Sequence, residues 1–387
     1  MRILMISDVY FPRINGVSTS IKTFRKELTN LGHEVKLIAP DYRKKDTDND
    51  WIFRIPSRYL PMDPEDRMMK QKYIHLLKDR LKLEKYDIVH IQTPFIAHNT
   101  GIQLSRMLNV PRIESYHTHF EECLHHYIPW MPKAITKFST SCFNRKQCNE
   151  VDALIVPSKP MHDILIQQGI KTPIEIIATG IDDTFFKQGN GHGFRERYGI
   201  PDNRPVLAHI GRIAYEKNID FLLHMVVKLR ERIPDILLII AGEGPAENYL
   251  RKLAGTLKIE NNILFVGYLE RSTTLLDCYS AANVFVFSSK VETQGLVLLE
   301  SMAQGIPVVS ISMMGTNDIL DAGKGALIAN DDTTDFANKV YALLNDAELH
   351  RKLSYEANEY ARTWSASSFA VKTIELYEKT VYSYRLN

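Results

Sequence analysis

An α/β protein with two parallel-sheet domains in series is the fold class that this 387-residue sequence predicts. Short β-branched runs alternate with amphipathic helical stretches, and the alternation starts again in the second half of the chain. The length also exceeds what one hydrophobic core usually serves. In the first half, strands are predicted at Ile3–Ile6, Val35–Ala39, Ile88–Ile91 and Ile113–Tyr116, with a helical period from Val17 to Leu31. In the second half they are predicted at Val206–Ile210, Ile236–Ala241, Ile263–Val266 and Val284–Ser288, with a helix from Asn218 to Glu231. Such alternation is the sequence form of Rossmann-like βαβ units with helices on both faces of each sheet.

Between the two halves, the stretch from Thr179-Gly180-Ile181 through Gly189-Asn190-Gly191-His192-Gly193 is rich in glycine and polar residues with few apolar anchors, as a linker or hinge would be. The expected boundary is therefore near residue 190, giving a first domain of 1–190 and a second of 191–368. From Thr333 the pattern is mostly helical. A last amphipathic stretch, 369–387, carries Phe369, Thr373, Leu376 and Tyr377 and is expected to reach back to the first domain.

Composition narrows the function classes. At 44% hydrophobic and 24% charged residues the chain is of ordinary globular type. The cysteines Cys123, Cys142, Cys148 and Cys278 lack CxxC spacing and read as reduced packing thiols of a cytosolic protein. Asp8 interrupts the N-terminal apolar run too early for a secretory leader, and no apolar stretch approaches the roughly 18 residues of a membrane span. A cytoplasmic protein is expected, peripheral on the inner face of the cell membrane if it meets a membrane at all. A net charge of +2 argues against bulk nucleic-acid binding. Residues 1–185 carry 26 Lys/Arg against 22 Asp/Glu and the remainder 22 against 24, so an anionic surface would be met by the first half.

In open parallel sheets ligands sit at the carboxyl ends of the strands, beside helix N-termini. The first such loop, Asp8 to Val17, places Gly16 directly ahead of a helix, where a phosphate can approach the backbone; a plain turn is the competing reading. In the second domain Gly211-Arg212 follows the strand Val206–Ile210, and Glu216-Lys217-Asn218 opens the next helix. Two fixed cations there suit a diphosphate and offset the charge that builds on it as a glycosidic bond breaks, the work that a divalent metal does elsewhere. The alternative is a solvated Arg and Lys at a helix start. The segment from Phe287 to Val309 sets Glu292 and Gly295 in a polar loop and Glu300 within an apolar helix among Leu296, Leu299, Met302 and Ala303. A carboxylate buried in such a helix needs a partner. Ribose hydroxyls are one candidate; a solvent-facing Glu is the other reading.

Glu292 and Glu300 have the E-x7-E spacing of the retaining family 4 glycosyltransferases of GT-B fold, which this chain resembles over nearly its whole length. Gly211-Arg212 with Glu216-Lys217 looks like the family's diphosphate-binding Arg/Lys pair, and Asn15-Gly16 like its N-terminal glycine loop. The resemblance implies two Rossmann-like domains facing across a cleft and a retaining transfer from a nucleotide sugar, with no metal and no other cofactor. It implies that Glu300 holds ribose hydroxyls, that Glu292 and the neighbouring backbone at Gly295 and Leu296 hold the donor sugar, and that Arg212 and Lys217 grip the diphosphate. His117, in Ser115-Tyr116-His117-Thr118, matches the family's His-Thr position near the reacting centre, where it positions the sugar and stabilises positive charge on it.

Three features stand against or beside that reading. His117, His119, His125 and His126 together suggest a metal site, but lack an organised carboxylate or thiol set. Asp46-Thr47-Asp48-Asn49-Asp50 spells the Asp-x-Asp of metal-dependent transferases, in a stretch that reads as a solvated loop. At Met314-Gly315-Thr316-Asn317-Asp318 the family more often has Gly-Gly followed by Glu.

Glu292-Thr293-Gln294-Gly295, and His117-Thr118 followed by Glu121 and Tyr127, look most like the glucosyltransferases that act on diacylglycerol, implying UDP-glucose as donor and a lipid acceptor. Rival readings are a nucleotide-sugar epimerase of the same fold, a non-catalytic nucleotide-sugar sensor, and a transferase with a soluble sugar or polysaccharide acceptor. A lipid acceptor fits the stretch between Glu122 and Glu150, which contains no Asp or Glu. There Tyr127, Ile128, Trp130, Met131 and Phe138 accompany Lys133, Lys137, Arg145 and Lys146. Basic and aromatic groups together favour the surface of an anionic bilayer. The bland alternative is aromatics in the core and cations in solvent.

Overall fold

The computed structural model describes residues 1–42, 50–60, 63–117, 133–271 and 273–386, with residues 60, 63–66 and 133–138 described by their backbone alone. The chain divides into two α/β units, Met1–Gly180 with Ala366–Asn387, and Ile181–Ser365.

The first unit runs through β1 (Arg2–Ile6), β2 (Glu34–Pro40), β3 (Ile52–Ile55), β4 (Ser57–Leu60), β5 (Asp63–Met69), β6 (Ile88–Ile91), β7 (Arg112–Ser115), β8 (Ala153–Val156) and β9 (Ile174–Ile176). Seven of these form one parallel sheet in the order β3-β2-β1-β6-β7-β8-β9, while β4 and β5 pair antiparallel beside it. Val89 and Ile91 of β6 and Ala153 to Val156 of β8 are buried, as strands covered on both faces must be. On one face Ile3, Met5, Leu37, Ile113 and Ile155 pack against Ile21, Phe24 and Leu28 of the helix Gly16–Asn30.

The last helix, Ala366–Leu386, belongs to this same face. It lies along the helix Gly16–Asn30, and Ala370, Leu376, Tyr377 and Val381 complete that core. Tyr377 is fully buried, and its hydroxyl is hydrogen-bonded to Nδ1 of His90 on β6. The other ring nitrogen of His90 lies 2.8 Å from Ser115 Oγ on β7. Burial, with His117 nearby, pushes the His90 imidazole down to about 3, so it is neutral at physiological pH. Tyr377→Phe strands a buried ring nitrogen, which typically costs about 1–3 kcal/mol. The expected result is a lower urea midpoint for the transition that Trp51 reports once the other two tryptophans, Trp130 and Trp364, are replaced by phenylalanine in both proteins compared. An unchanged midpoint would show that the helix is held by its apolar side chains alone.

The second unit has a six-stranded parallel sheet in the order β12-β11-β10-β13-β14-β15, from β10 (Val206–Ile210), β11 (Leu237–Ala241), β12 (Ile263–Gly267), β13 (Val284–Phe287), β14 (Val308–Ile311) and β15 (Ala326–Ala329). β10, β11, β13 and β14 are buried along their whole length between two apolar layers. One layer holds Phe194, Tyr279, Phe285 and Met302, the other Leu222, Met225, Val286 and Phe336.

The expected boundary near residue 190 is corrected to Gly180/Ile181 on one side and Ser365/Ala366 on the other. The glycines that read as a flexible linker serve close packing. A Cβ on Gly189 would lie 2.2 Å from the carbonyl oxygen of Leu276, and one on Gly191 would lie 2.3 Å from that of Ser280. Only glycine lets this segment lie so tightly on the helix Thr274–Ala281. Asn190 Oδ1 accepts from the Gly193 amide and caps the helix Gly191–Arg197, so residues 189–197 are a fixed part of the second unit.

Candidate active site

Each sheet has one point where successive strands are added on opposite sides, and the loops leaving such a point open the crevice where ligands bind in this kind of fold. In the second unit that point lies between β10 and β13, and the sequence places its strongest motifs on the two loops concerned. Gly211 and Arg212 follow β10. A short turn, Tyr215–Lys217, then leads through Asn218, in the left-handed region at φ 55°, into the helix Ile219–Arg230. Asn218 Nδ2 donates to the carbonyl of Ser288 at 3.1 Å, and Ser288 Oγ donates to the carbonyl of Asn218 at 2.8 Å. These reciprocal bonds staple the Lys217 turn to the end of β13.

The staple brings together side chains 75 residues apart in sequence: Lys217 Nζ lies 2.5 Å from Glu292 Oε1, with both side chains partly exposed. Arg212 Nη1 lies 3.5 Å from Glu216 Oε1. The cluster thus holds two cations and two carboxylates, positioned by backbone turns at the carboxyl edge of the sheet. His209 and Ser289 lie directly behind it. Burial pushes the His209 imidazole down to about 4, and its Nε2 and the Ser289 hydroxyl are buried without a hydrogen-bond partner among the described residues.

Gly295, at φ 92°, takes the left-handed conformation just ahead of the helix Leu296–Ala303. The loop after β14 leans on this segment, since the Gly315 amide donates to the carbonyl of Glu292 at 2.8 Å. A Cβ at Gly315 would lie 2.0 Å from the carbonyl oxygen of Thr293. Met314, where the resembling family more often has glycine, keeps a left-handed φ of 54°. A methionine adopts that conformation with more strain than a glycine would.

Glu300 is not solvent-facing. It is 2% exposed, and both carboxylate oxygens are engaged: Oε1 by Arg271 Nη2, and Oε2 by the Tyr279 hydroxyl at 3.0 Å. The need for a buried partner is met by two residues that the sequence reading did not select. Arg271 sits in the loop after β12, and Tyr279 on the helix Thr274–Ala281 is fully buried.

In the first unit the corresponding point lies between β1 and β6. Asp8, just past β1, ties the two loops together. Its carboxylate accepts from Thr93 Oγ1 at 2.9 Å and from the Ala97 amide at 3.1 Å, and its own amide donates to Thr93 Oγ1 at 2.7 Å. Burial pushes its pKa up to about 6, against the opposing pull of those donors. In the sequence Asp8 marks a break in an apolar run and the start of the first loop, without the tie to Thr93 and Ala97. Asn15 Oδ1 accepts from the Ser18 amide and caps the helix that begins at Gly16, and a Cβ on Gly16 would meet nothing within 4 Å. The space that a ligand needs there is open.

His117 stands just past β7, with Nε2 3.0 Å from Oε1 of Gln92, which follows β6. Burial pushes its imidazole down to about 4, so it is neutral near pH 7. A neutral ring suits positioning better than charge storage. Gln92, like Arg271 and Tyr279, belongs to no motif that would single it out in the sequence.

Among the described residues no group of three or more His, Cys, Asp or Glu side chains is placed to hold a metal ion. His119, His125 and His126 lie outside the described residues, as do Asp46 and Asp48, Thr118, Glu121, and the apolar anchors Tyr127, Ile128, Trp130 and Met131. No described helix is long and apolar enough to cross a membrane.

Comparison with known proteins places this geometry. Residues 193–360 match the family described as glycosyl transferases group 1, and residues 14–185 match glycosyltransferase family 4. The alpha-monoglucosyldiacylglycerol synthase of Streptococcus pneumoniae is 33% identical over 99% of this chain and 87% of its own length. The chain belongs to glycosyltransferase family 4. A second relative, the alpha-monoglucosyldiacylglycerol synthase of Acholeplasma laidlawii, is 26% identical over 98% of both chains. The family is broader than one donor: a GDP-mannose-dependent alpha-mannosyltransferase of Mycobacterium tuberculosis is 26% identical over 85% of this chain and 83% of its own. The fold is GT-B, shared with sucrose-phosphate synthase of Thermosynechococcus elongatus (TM-score 0.78, 20% identity, 99% of both chains). It is shared as well with the Anabaena HepE structure in complex with UDP-glucose (TM-score 0.76, 15% identity, 98% of this chain and 100% of the other). The protein is a glycosyltransferase, and Arg212, Lys217, Glu292, Gly295 and Glu300 all lie on the strand-end loops and helix of its second unit.

Proposed function

We propose that this glycosyltransferase moves glucose from UDP-glucose to a hydroxyl of diacylglycerol, with retention of anomeric configuration and without a metal ion. The observation that carries the reading is the cluster of Arg212, Lys217 and Glu292 stapled at the end of β10 and β13. It offers fixed cations where a diphosphate leaving group gathers charge, so the protein itself does the work of a bound metal. Arg212 and Lys217 hold the diphosphate, the backbone at Gly295 and Leu296 with Glu292 holds the sugar, and Glu300 takes the ribose. The open backbone at Gly16 and the neutral His117 belong to the same reading, Gly16 admitting a phosphate and His117 orienting the sugar. The acceptor hydroxyl attacks the face that the diphosphate leaves, and a leaving-group oxygen takes its proton. With an α-linked nucleotide sugar as donor, an alpha-glucoside is the product of retention.

The acceptor is supported by the two relatives named alpha-monoglucosyldiacylglycerol synthase and by the basic stretch before Glu150. The described end of that stretch, at the close of the helix Lys133–Cys148, opens on a cavity of about 680 Å³ lined by Arg145, Lys146, Lys171 and Thr172. An anionic membrane surface is the partner that such a face suits, consistent with a peripheral position on the cytoplasmic side.

A panel of UDP-glucose, UDP-galactose, UDP-N-acetylglucosamine and GDP-mannose, assayed with diacylglycerol vesicles with and without EDTA, tests donor and metal together. Turnover is expected with UDP-glucose and unchanged by EDTA. A preference for GDP-mannose would reject the donor, and a collapse restored by Mn²⁺ or Mg²⁺ would reject the metal-free mechanism.

A further inference from the structure

Glu300 presents a problem that the ribose reading leaves open. A carboxylate 2% exposed inside an apolar helix is costly unless its charge is compensated and its oxygens are fixed. Two residues do both. Arg271 forms an ion pair with Oε1, and Tyr279 donates its hydroxyl to Oε2 at 3.0 Å. Arg271 is itself held, its guanidinium lying 5.3 Å over the ring of Phe185, and the charge of Glu300 keeps it protonated against its own burial. Tyr279 is fully buried against Phe285. Each partner comes from a different element, so the carboxylate plane is fixed from two directions.

We infer that Arg271 and Tyr279 are positioning residues for nucleotide recognition, holding the Glu300 carboxylate oriented so that it selects a ribose diol. The inference rests on the reading of Glu300 as the ribose ligand. A carboxylate accepts at about four lone-pair positions. Arg271 and Tyr279 occupy one on each oxygen, and among the described residues no further side-chain or backbone donor takes the other. Two vicinal hydroxyls, one donated to each oxygen, fit that remainder, whereas a sugar lacking them leaves both lone pairs unmet. The discrimination is therefore for ribonucleotide over deoxyribonucleotide, and it depends on residues that need not touch the nucleotide.

The test compares UDP with 2′,3′-dideoxy-UDP by calorimetric titration of the full-length protein. Wild type is expected to prefer UDP by roughly tenfold or more, as for hydrogen bonds to a charged group. Glu300→Gln is expected to lose most of that preference. Arg271→Met is expected to bring the ratio close to one while leaving dideoxy-UDP affinity within about twofold, which also reports that the variant is folded. Arg271→Lys, which keeps the charge but not the planar fork, should fall between, and Tyr279→Phe should lower the ratio several-fold. A wild-type ratio near one, or a ratio that survives Glu300→Gln, overturns the ribose reading and this inference together. A ratio lost in Glu300→Gln but kept in both Arg271→Met and Tyr279→Phe overturns this inference alone.

Discussion

Arg212→Ala and Lys217→Ala should each lower kcat by about 10²–10³-fold, equivalent to roughly 3–4 kcal/mol of lost transition-state stabilisation, with a smaller change in KM for the nucleotide sugar. The split follows from when the charge appears. The diphosphate is already anionic when bound, but the bond to the sugar sends further charge onto it as it breaks, so fixed cations matter most at that moment. Both cations are also engaged within the protein, Lys217 with Glu292 at 2.5 Å and Arg212 with Glu216 at 3.5 Å. The diphosphate must compete with those carboxylates, which tempers ground-state binding. Steady-state kinetics with saturating acceptor reads both constants. Near-normal kcat in both variants would mean that leaving-group charge is stabilised elsewhere, and the metal-free mechanism would fall.

The second large effect concerns the membrane. Neutralising Lys133, Lys137, Arg145 and Lys146 together should weaken binding to anionic vesicles by on the order of 10³-fold, since each basic residue near the surface adds about 1 kcal/mol. Binding of the unaltered protein should fall as salt is raised, because the attraction is screened within about a Debye length. Vesicle co-sedimentation at two salt concentrations and two anionic lipid contents measures this. The four cations are legible in the sequence as a run without acidic residues, and of these Arg145 and Lys146 line the 680 Å³ cavity together with Lys171. Binding indifferent to both salt and the quadruple change would remove the membrane face and move the acceptor toward a soluble sugar.

The two sheets were legible because parallel strands buried on both faces must be apolar along their length. Ile88–Ile91 and Val206–Ile210 have the bounds that their residues predict. The strands β3, β4 and β5 were missed where apolar runs are short and interrupted by charge, as in Asp63–Met69, and β8, β9 and β15, each of three or four residues, were not picked out either. Residues 189–193 misled for a physical reason: glycine serves both flexibility and close approach, and composition cannot tell which. Here Leu276 and Ser280 decide it, and neither is near in sequence.

At the site, the residues selected by motif are those whose spacing is local, such as Glu292 and Glu300 on one loop and helix. Their partners were hidden because they come from elsewhere in the chain: Arg271 from the loop after β12, Gln92 from the end of β6, and Asp8 through Thr93. A buried Glu in an apolar helix announces that a partner exists without saying which. The expected return of the last helix had a similar character. Leu376 and Tyr377 marked an apolar face, and only the hydrogen bond from Tyr377 to His90 shows how closely it is built into the first sheet.

The central claim, transfer of glucose from UDP-glucose to diacylglycerol, is tested most directly by identifying the product. The purified protein is incubated with ¹³C-labelled UDP-glucose and diacylglycerol in anionic vesicles, and the lipid and aqueous fractions are examined by mass spectrometry and NMR. The account predicts a labelled monoglucosyldiacylglycerol with an α-anomeric linkage, formed in step with UDP. Label recovered only in a soluble glycoside, in an epimerised nucleotide sugar, or in a β-linked lipid would contradict it.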